Sequence, residues 1–111
     1  MVKTFLLSNF GNGSKEVFYS ASIHANEWIT SILLMKFIED YCVAYNNNSK
    51  LYGYSVRDLF DSVSIYIMPM VNPDGVDLVT DTLNKFSVSY LRALNISRQF
   101  PDIPFPSRME G

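Results

Sequence analysis

The sequence predicts an α/β fold, and three observations carry that prediction. Residues 15–23 alternate as a β-strand and run directly into "HANE", a helical repeat follows from Glu27 to Tyr45, and residues 62–71, "SVSIYIMPMV", are β-branched or apolar at nearly every position. Strand, helix and strand in that order form a βαβ unit, whose crossover is right-handed and whose strands are parallel.

The amino-terminal elements read as a β-hairpin. Residues 3–9 and 15–23 are rich in Val, Phe, Tyr and Ile, and the "GNGS" between them holds Asn12-Gly13, a pair suited to a turn that needs positive φ. In the second arm Val17, Tyr19, Ala21 and Ile23 alternate with Glu16, Phe18, Ser20 and Ser22, and the apolar Phe18 predicts that both faces are partly covered. The following helix places Trp28, Ile32, Met35, Cys42 and Tyr45 near one face and Lys36, Glu39 and Asp40 on another. It stops at "NNNSK", where asparagine favours turns, and Gly53 punctuates the loop beyond. "SVRDLF" has the length for one or two further helical turns.

The apolar run at residues 62–71 predicts a central strand, limited near its end by Pro69, which cannot donate a ladder hydrogen bond. "NPDG" at Asn72 to Gly75 puts proline, aspartate and glycine where a type I turn prefers them. Leu83, Phe86, Tyr90, Leu91 and Leu94 then keep helical spacing and predict a second helix over residues 81–95. Residues 96–111 contain three prolines and no period, which predicts an extended arm exposing Ile96, Phe100, Ile103 and Phe105.

The chain of 111 residues fits one domain, residues 1–111, with 48% hydrophobic and only 18% charged residues. Eleven acids against nine bases, scattered along the chain, provide no cationic stripe for DNA or RNA. The longest apolar run is broken by Thr30, Ser31 and Lys36 and is too short for a membrane span. No signal peptide is legible at the amino terminus, and the compartment stays open, cytoplasmic or cell-wall associated. A single cysteine, Cys42, closes no intrachain disulfide and reads as a thiol buried in a helix. The Asn-x-Ser triplets at Asn12, Asn47 and Asn95 read as chance.

His24 is the only histidine, and Glu27 follows it by three residues at the end of a predicted parallel strand. Ligands bind α/β sheets at that end. An imidazole nitrogen and a carboxylate so spaced across a strand-to-helix turn reach one ion, and a carboxylate in the first helical turn sits favourably near the helix N-terminus. A metal that activates water takes three protein ligands plus an open position, so the pair makes two-thirds of a site. Taken alone, His-x-x-Glu often occurs by chance, and its alternative reading is a capped helix with a hydrogen-bonded histidine.

"SIHANEWITSILLMKFIEDY", followed after a loop by "SIYIMPMVNPDGVDLV", resembles the zinc carboxypeptidase family, the carboxypeptidase A-like metallopeptidases, and most of all its bacterial branch that cleaves γ-D-glutamyl-diamino acid bonds of peptidoglycan peptides. The resemblance implies a mixed sheet with helices, zinc as cofactor, a peptide substrate in the form of a peptidoglycan stem peptide, and His24 and Glu27 as two of three zinc ligands. Asn26 stands where pancreatic-type members have a substrate-holding arginine, which fits the cell-wall branch better. The third ligand, the general base and the substrate-anchoring arginines have no counterparts in the sequence: Arg92, Arg98, Arg108 and Glu110 do not match them. The resemblance therefore implies the amino-terminal part of a catalytic domain, inactive alone. The competing expectations are a noncatalytic assembly module that forms homo-oligomers through exposed edges or the arm, and a metal shared between two copies.

Overall fold

The computed structural model describes residues 7–80 and 84–102. Strands β1 (Ser8–Phe10), β2 (Lys15–Ser20) and β5 (Val63–Met68) form the main sheet. Helix α1 (Ile29–Asn46) follows a 3₁₀ turn at Ala25–Glu27, and strands β3 (Lys50–Leu51) and β4 (Tyr54–Ser55) pair into a small ribbon. Helices α2 (Val56–Ser62), α3 (Pro73–Val79) and α4 (Val88–Ser97) complete the chain.

The βαβ prediction holds, since β2 pairs parallel to β5 with Val17 opposite Ile65 and Tyr19 opposite Ile67. The hairpin does not. β5 lies between β1 and β2 and pairs antiparallel to β1, so the two arms flank a third strand instead of each other. The turn residues are used differently as a result: the Asn12 N–H donates to Phe60 O at 2.7 Å, and the buried Ser64 hydroxyl reaches the carbonyls of Gly11 and Gly13 at 3.2 and 2.8 Å. This loop is clamped across the start of β5. The most apolar strand gains by being central, because pairing on both sides satisfies its backbone groups where water is excluded.

Tyr41, Ala44, Val56, Ile65 and Ile67 form the buried core, with Phe10, Leu34, Phe37 and Ile38 packed around it. The stripe of α1 that faces the sheet is therefore Ser31, Leu34, Phe37, Ile38, Tyr41 and Ala44. Trp28, Ile32, Met35 and Tyr45 of the expected stripe are exposed, and so is the Cys42 thiol. The helix is apolar around most of its circumference, so the 3.6-residue period marks more than one stripe, and the position of β5 selects among them. The polar side is placed as expected, with Lys36 Nζ bonded to Glu39 at 3.0 Å and to Asp40 at 2.7 Å on the exposed surface. The face away from α1 is covered only at its centre: Ser64 is buried and Tyr66 and Met68 are half-buried, while Phe18 on the edge strand is 57% exposed.

The expected helical turns after Gly53 are α2, capped by the Ser55 hydroxyl accepting from the Asp58 N–H. Instead of an isolated turn, "NPDG" opens α3, because a type I turn and the first turn of a helix share similar backbone angles. The second predicted helix is shifted to Val88–Ser97, since Ser87 caps it through Tyr90 N while Asn84 turns the preceding residues. Ile96 and Ser97 thus belong to α4 and not to an arm. Most of the predicted arm, and residues 81–83 of the predicted helix, lie outside the described residues.

A Cβ at Gly13 would collide with the Ser62 and Val63 backbone, which has no flexible end to move aside. Gly13→Ala is expected to cost about 3 kcal/mol or more, at the upper end of overpacking penalties, in urea unfolding followed by circular dichroism. The Tyr41 hydroxyl is buried without a hydrogen-bond partner, and its pKa is raised above the ordinary 10, first by burial and then by the neighbouring Cys42, Tyr45 and Asp61. Tyr41→Phe is expected to leave stability at pH 7 unchanged or raise it by about 1 kcal/mol, since the unsatisfied group disappears. With the folded pKa above the unfolded one, this tyrosine's contribution is intact below pH 10 and lost as pH rises through the folded value, so the variant's stability should fall less between pH 9 and 11.

Candidate functional site

The backbone pairing of β2 and β5 continues past both strand ends. The Ala21 N–H donates to Met68 O at 3.1 Å, the Val71 N–H to Ala21 O at 2.9 Å, and the Asn72 N–H to Ser22 O at 3.1 Å. This ties the turn after β2 to the start of α3. Ser22 is 2% exposed and has φ +52°, a left-handed angle that redirects the chain out of the sheet.

Ile23 and His24 follow on the surface, and Ala25, fully buried, pins the 3₁₀ turn beneath them. The Glu27 N–H closes that turn on His24 O at 3.2 Å. His24 and Glu27 are therefore exposed on either side of an anchored alanine. His24 stands at the N-cap position of the turn without a capping side-chain bond, and neither side chain hydrogen-bonds to another described residue. The alternative of a hydrogen-bonded capping histidine is not what the structure shows.

Ser22, Ser31 and Thr30 hold this turn. The Thr30 hydroxyl accepts from the Ser22 N–H at 3.0 Å and donates to Glu27 O at 2.7 Å, while the Ser22 and Ser31 hydroxyls bond to each other. From the other side α3 packs on the 3₁₀ turn, with Asn72 Oδ1 accepting from the Gly75 N–H at 3.0 Å. Strand and helix periodicity do not single out Ser22, Thr30 or Ser31, although hydroxyls flanking a strand-to-helix junction are a signal for caps and turns.

One imidazole and one carboxylate, solvent-facing and unengaged, at the carboxyl ends of two parallel strands suit a zinc ion as part of a ligand set. Among the described residues no group of three His, Cys, Asp or Glu side chains is placed to hold a metal. Arg92 and Arg98 lie exposed on α4 and its C-cap, and Arg57 is engaged with Tyr45, its Nε donating to Tyr45 O at 3.1 Å. Arg108 and Glu110 lie outside the described residues.

The family profile described as zinc carboxypeptidase matches residues 6–109. The chain belongs to the zinc carboxypeptidase family. It is 49% identical over 69 residues to γ-D-glutamyl-L-diamino acid endopeptidase 1 of Lysinibacillus sphaericus, covering 62% of this chain and 17% of that protein. A zinc carboxypeptidase of Saccharothrix mutabilis subsp. capreolus is 37% identical over 56% of this chain and 13% of its own length. Carboxypeptidase E of Caenorhabditis elegans is 33% identical over 79% of this chain and 19% of its own length. The chain thus spans less than one-fifth of the length of these relatives. No solved structure matches it significantly. Among the described residues no helix is long and apolar enough to cross a membrane.

Asn72→Ala removes the α3 cap but keeps the backbone bond to Ser22, so a loss of about 1 kcal/mol in thermal unfolding is expected, with the sheet retained.

Proposed function

We propose that this zinc carboxypeptidase-family chain is part of the catalytic domain of a zinc metallopeptidase, with His24 and Glu27 as two of the protein ligands of its zinc. The observation that carries the reading is the unengaged His24–Glu27 pair on an anchored turn at the carboxyl ends of β2 and β5. When bound, zinc polarises the scissile carbonyl and activates water. His24 offers a ring nitrogen and Glu27 carboxylate oxygens, and the buried Ala25 keeps both donors from folding into the core. Donors held on a fixed turn need little rearrangement to bind, which is where a scaffold improves affinity.

The substrate we infer is an amide bond of a peptidoglycan stem peptide, between γ-D-glutamate and a diamino acid. The support is the 49% identity to an enzyme named for that bond, together with Asn26 in place of a substrate-holding arginine. A second reading, self-association without catalysis, draws on the exposed apolar residues Val17, Phe18 and Tyr19 of β2 and Ile29, Ile32 and Leu33 of α1.

A chimera in which this chain replaces the corresponding part of the Lysinibacillus endopeptidase is expected to hold one zinc and cleave a γ-D-glutamyl-diamino acid peptide. His24→Ala and Glu27→Gln in the chimera should abolish both. The chain by itself should bind zinc far more weakly than the roughly 10–16 kcal/mol of a complete structural site. A chimera in which both variants keep their zinc would overturn the ligand assignment, and a defined oligomer with no zinc response would favour the second reading.

A further inference from the structure

We infer that Thr30 is a positioning residue for the His24–Glu27 pair, its hydroxyl setting the span of the turn that presents both donors. The inference rests on the proposed zinc site and adds to it a residue outside the ligand set. Thr30 Oγ1 accepts the Ser22 N–H at 3.0 Å, two residues before His24, and donates to the carbonyl of Glu27 itself at 2.7 Å. One oxygen therefore bridges the chain entering the motif to its last residue. Both ends of the bridge are backbone atoms, so the bond fixes the path of residues 22–27 while leaving the two donor side chains free to meet an ion.

Three features mark this bridge as more than a helix-start capping bond. Ser22 is buried at φ +52°, a conformation that a non-glycine residue holds only when its surroundings impose it. Its hydroxyl is bonded to Ser31 in the first turn of α1, beside Thr30. Its carbonyl receives the Asn72 N–H. The N–H, hydroxyl and carbonyl of Ser22 are thus all used, and the Thr30 bond is the one that links this fixed point to Glu27. A threonine at this position does what valine, its near-isostere, cannot, because only the hydroxyl both accepts and donates.

The test compares Thr30→Val with Thr30→Ser in the whole chain. His24 is the only histidine, so its ring protons report zinc addition in proton NMR without ambiguity. Outer-shell partners of metal ligands change affinity by about 10–100-fold, and Thr30→Val is expected to weaken the zinc-dependent shift of the His24 ring by about 10-fold in apparent Kd. Thr30→Ser should remain within about twofold of the parent chain, because it restores the hydroxyl. An equal Kd for Thr30→Val and the parent would overturn the positioning role while leaving the zinc reading in place. If the two ligands of the chain alone bind too weakly for the His24 signals to respond, the same Thr30 comparison is read as zinc affinity of the chimera, and a chimera that holds no zinc would remove the zinc reading and this role with it. Amide exchange in the unsubstituted chain gives a reading independent of whether Thr30→Val folds: the Ser22 N–H should be protected, and exchange as fast as in an unfolded peptide would overturn the bridge.

Discussion

The pairing of β2 with β5 is the constraint on which the rest depends. Six residues of parallel ladder, Lys15–Ser20 against Val63–Met68, fix two strand ends side by side, and the bonds from Met68, Val71 and Asn72 carry that alignment into the loops. Parallel strands require a crossover, and α1 with the β3–β4 ribbon and α2 provides it. The candidate site sits where the ladder stops because there the backbone turns out of the sheet. Its position follows from strand register before any side-chain chemistry is considered.

That dependence explains which parts of the structure were legible in the sequence. The βαβ unit was, because "SIYIM" is apolar on both faces and the stretch after Trp28 has helical spacing. The placement of His24 and Glu27 just beyond a strand end was also legible. The hairpin was misread because Asn12-Gly13 is a local turn signal, while the decision to insert β5 between β1 and β2 is made by contacts some 50 residues away, such as the Ser64 hydroxyl on Gly11 and Gly13. The buried stripe of α1 was misread for the opposite reason: Leu33, Leu34, Met35, Phe37 and Ile38 give the helix apolar residues in almost every direction, and periodicity then loses its power to choose. Cys42 went with the wrong stripe, one position away from the buried Tyr41.

The exposed apolar surface has the same origin. Val17 and Tyr19 share the α1-facing side of the sheet, yet β2 is an edge strand and both remain at least 39% exposed. Tyr19 continues into an apolar groove lined by Leu33, Leu34, Phe37 and Tyr52. A helix that is apolar nearly all round is one suited to burial on more than one side, and α1 has only its Leu34–Phe37–Tyr41 side covered among the described residues. The sheet edge, the groove and the outer stripe of α1 are therefore one continuous feature and not separate patches.

At the site itself, rigidity and exposure are assigned to different atoms. The side chains proposed here as metal donors have to stay accessible, which forbids holding them by packing; the alternative is to hold the backbone on either side. Ala25 does this by burial, Ser22 by hydrogen bonds at its N–H, hydroxyl and carbonyl, and Asn72 by joining the turn to α3. The left-handed angle at Ser22 costs on the order of 1–3 kcal/mol, comparable to the combined net contribution of about 0.5–1.5 kcal/mol from each of those bonds. The turn is thus stable only with its partners in place, and a strained residue so thoroughly tethered belongs to a segment whose shape matters more than its stability.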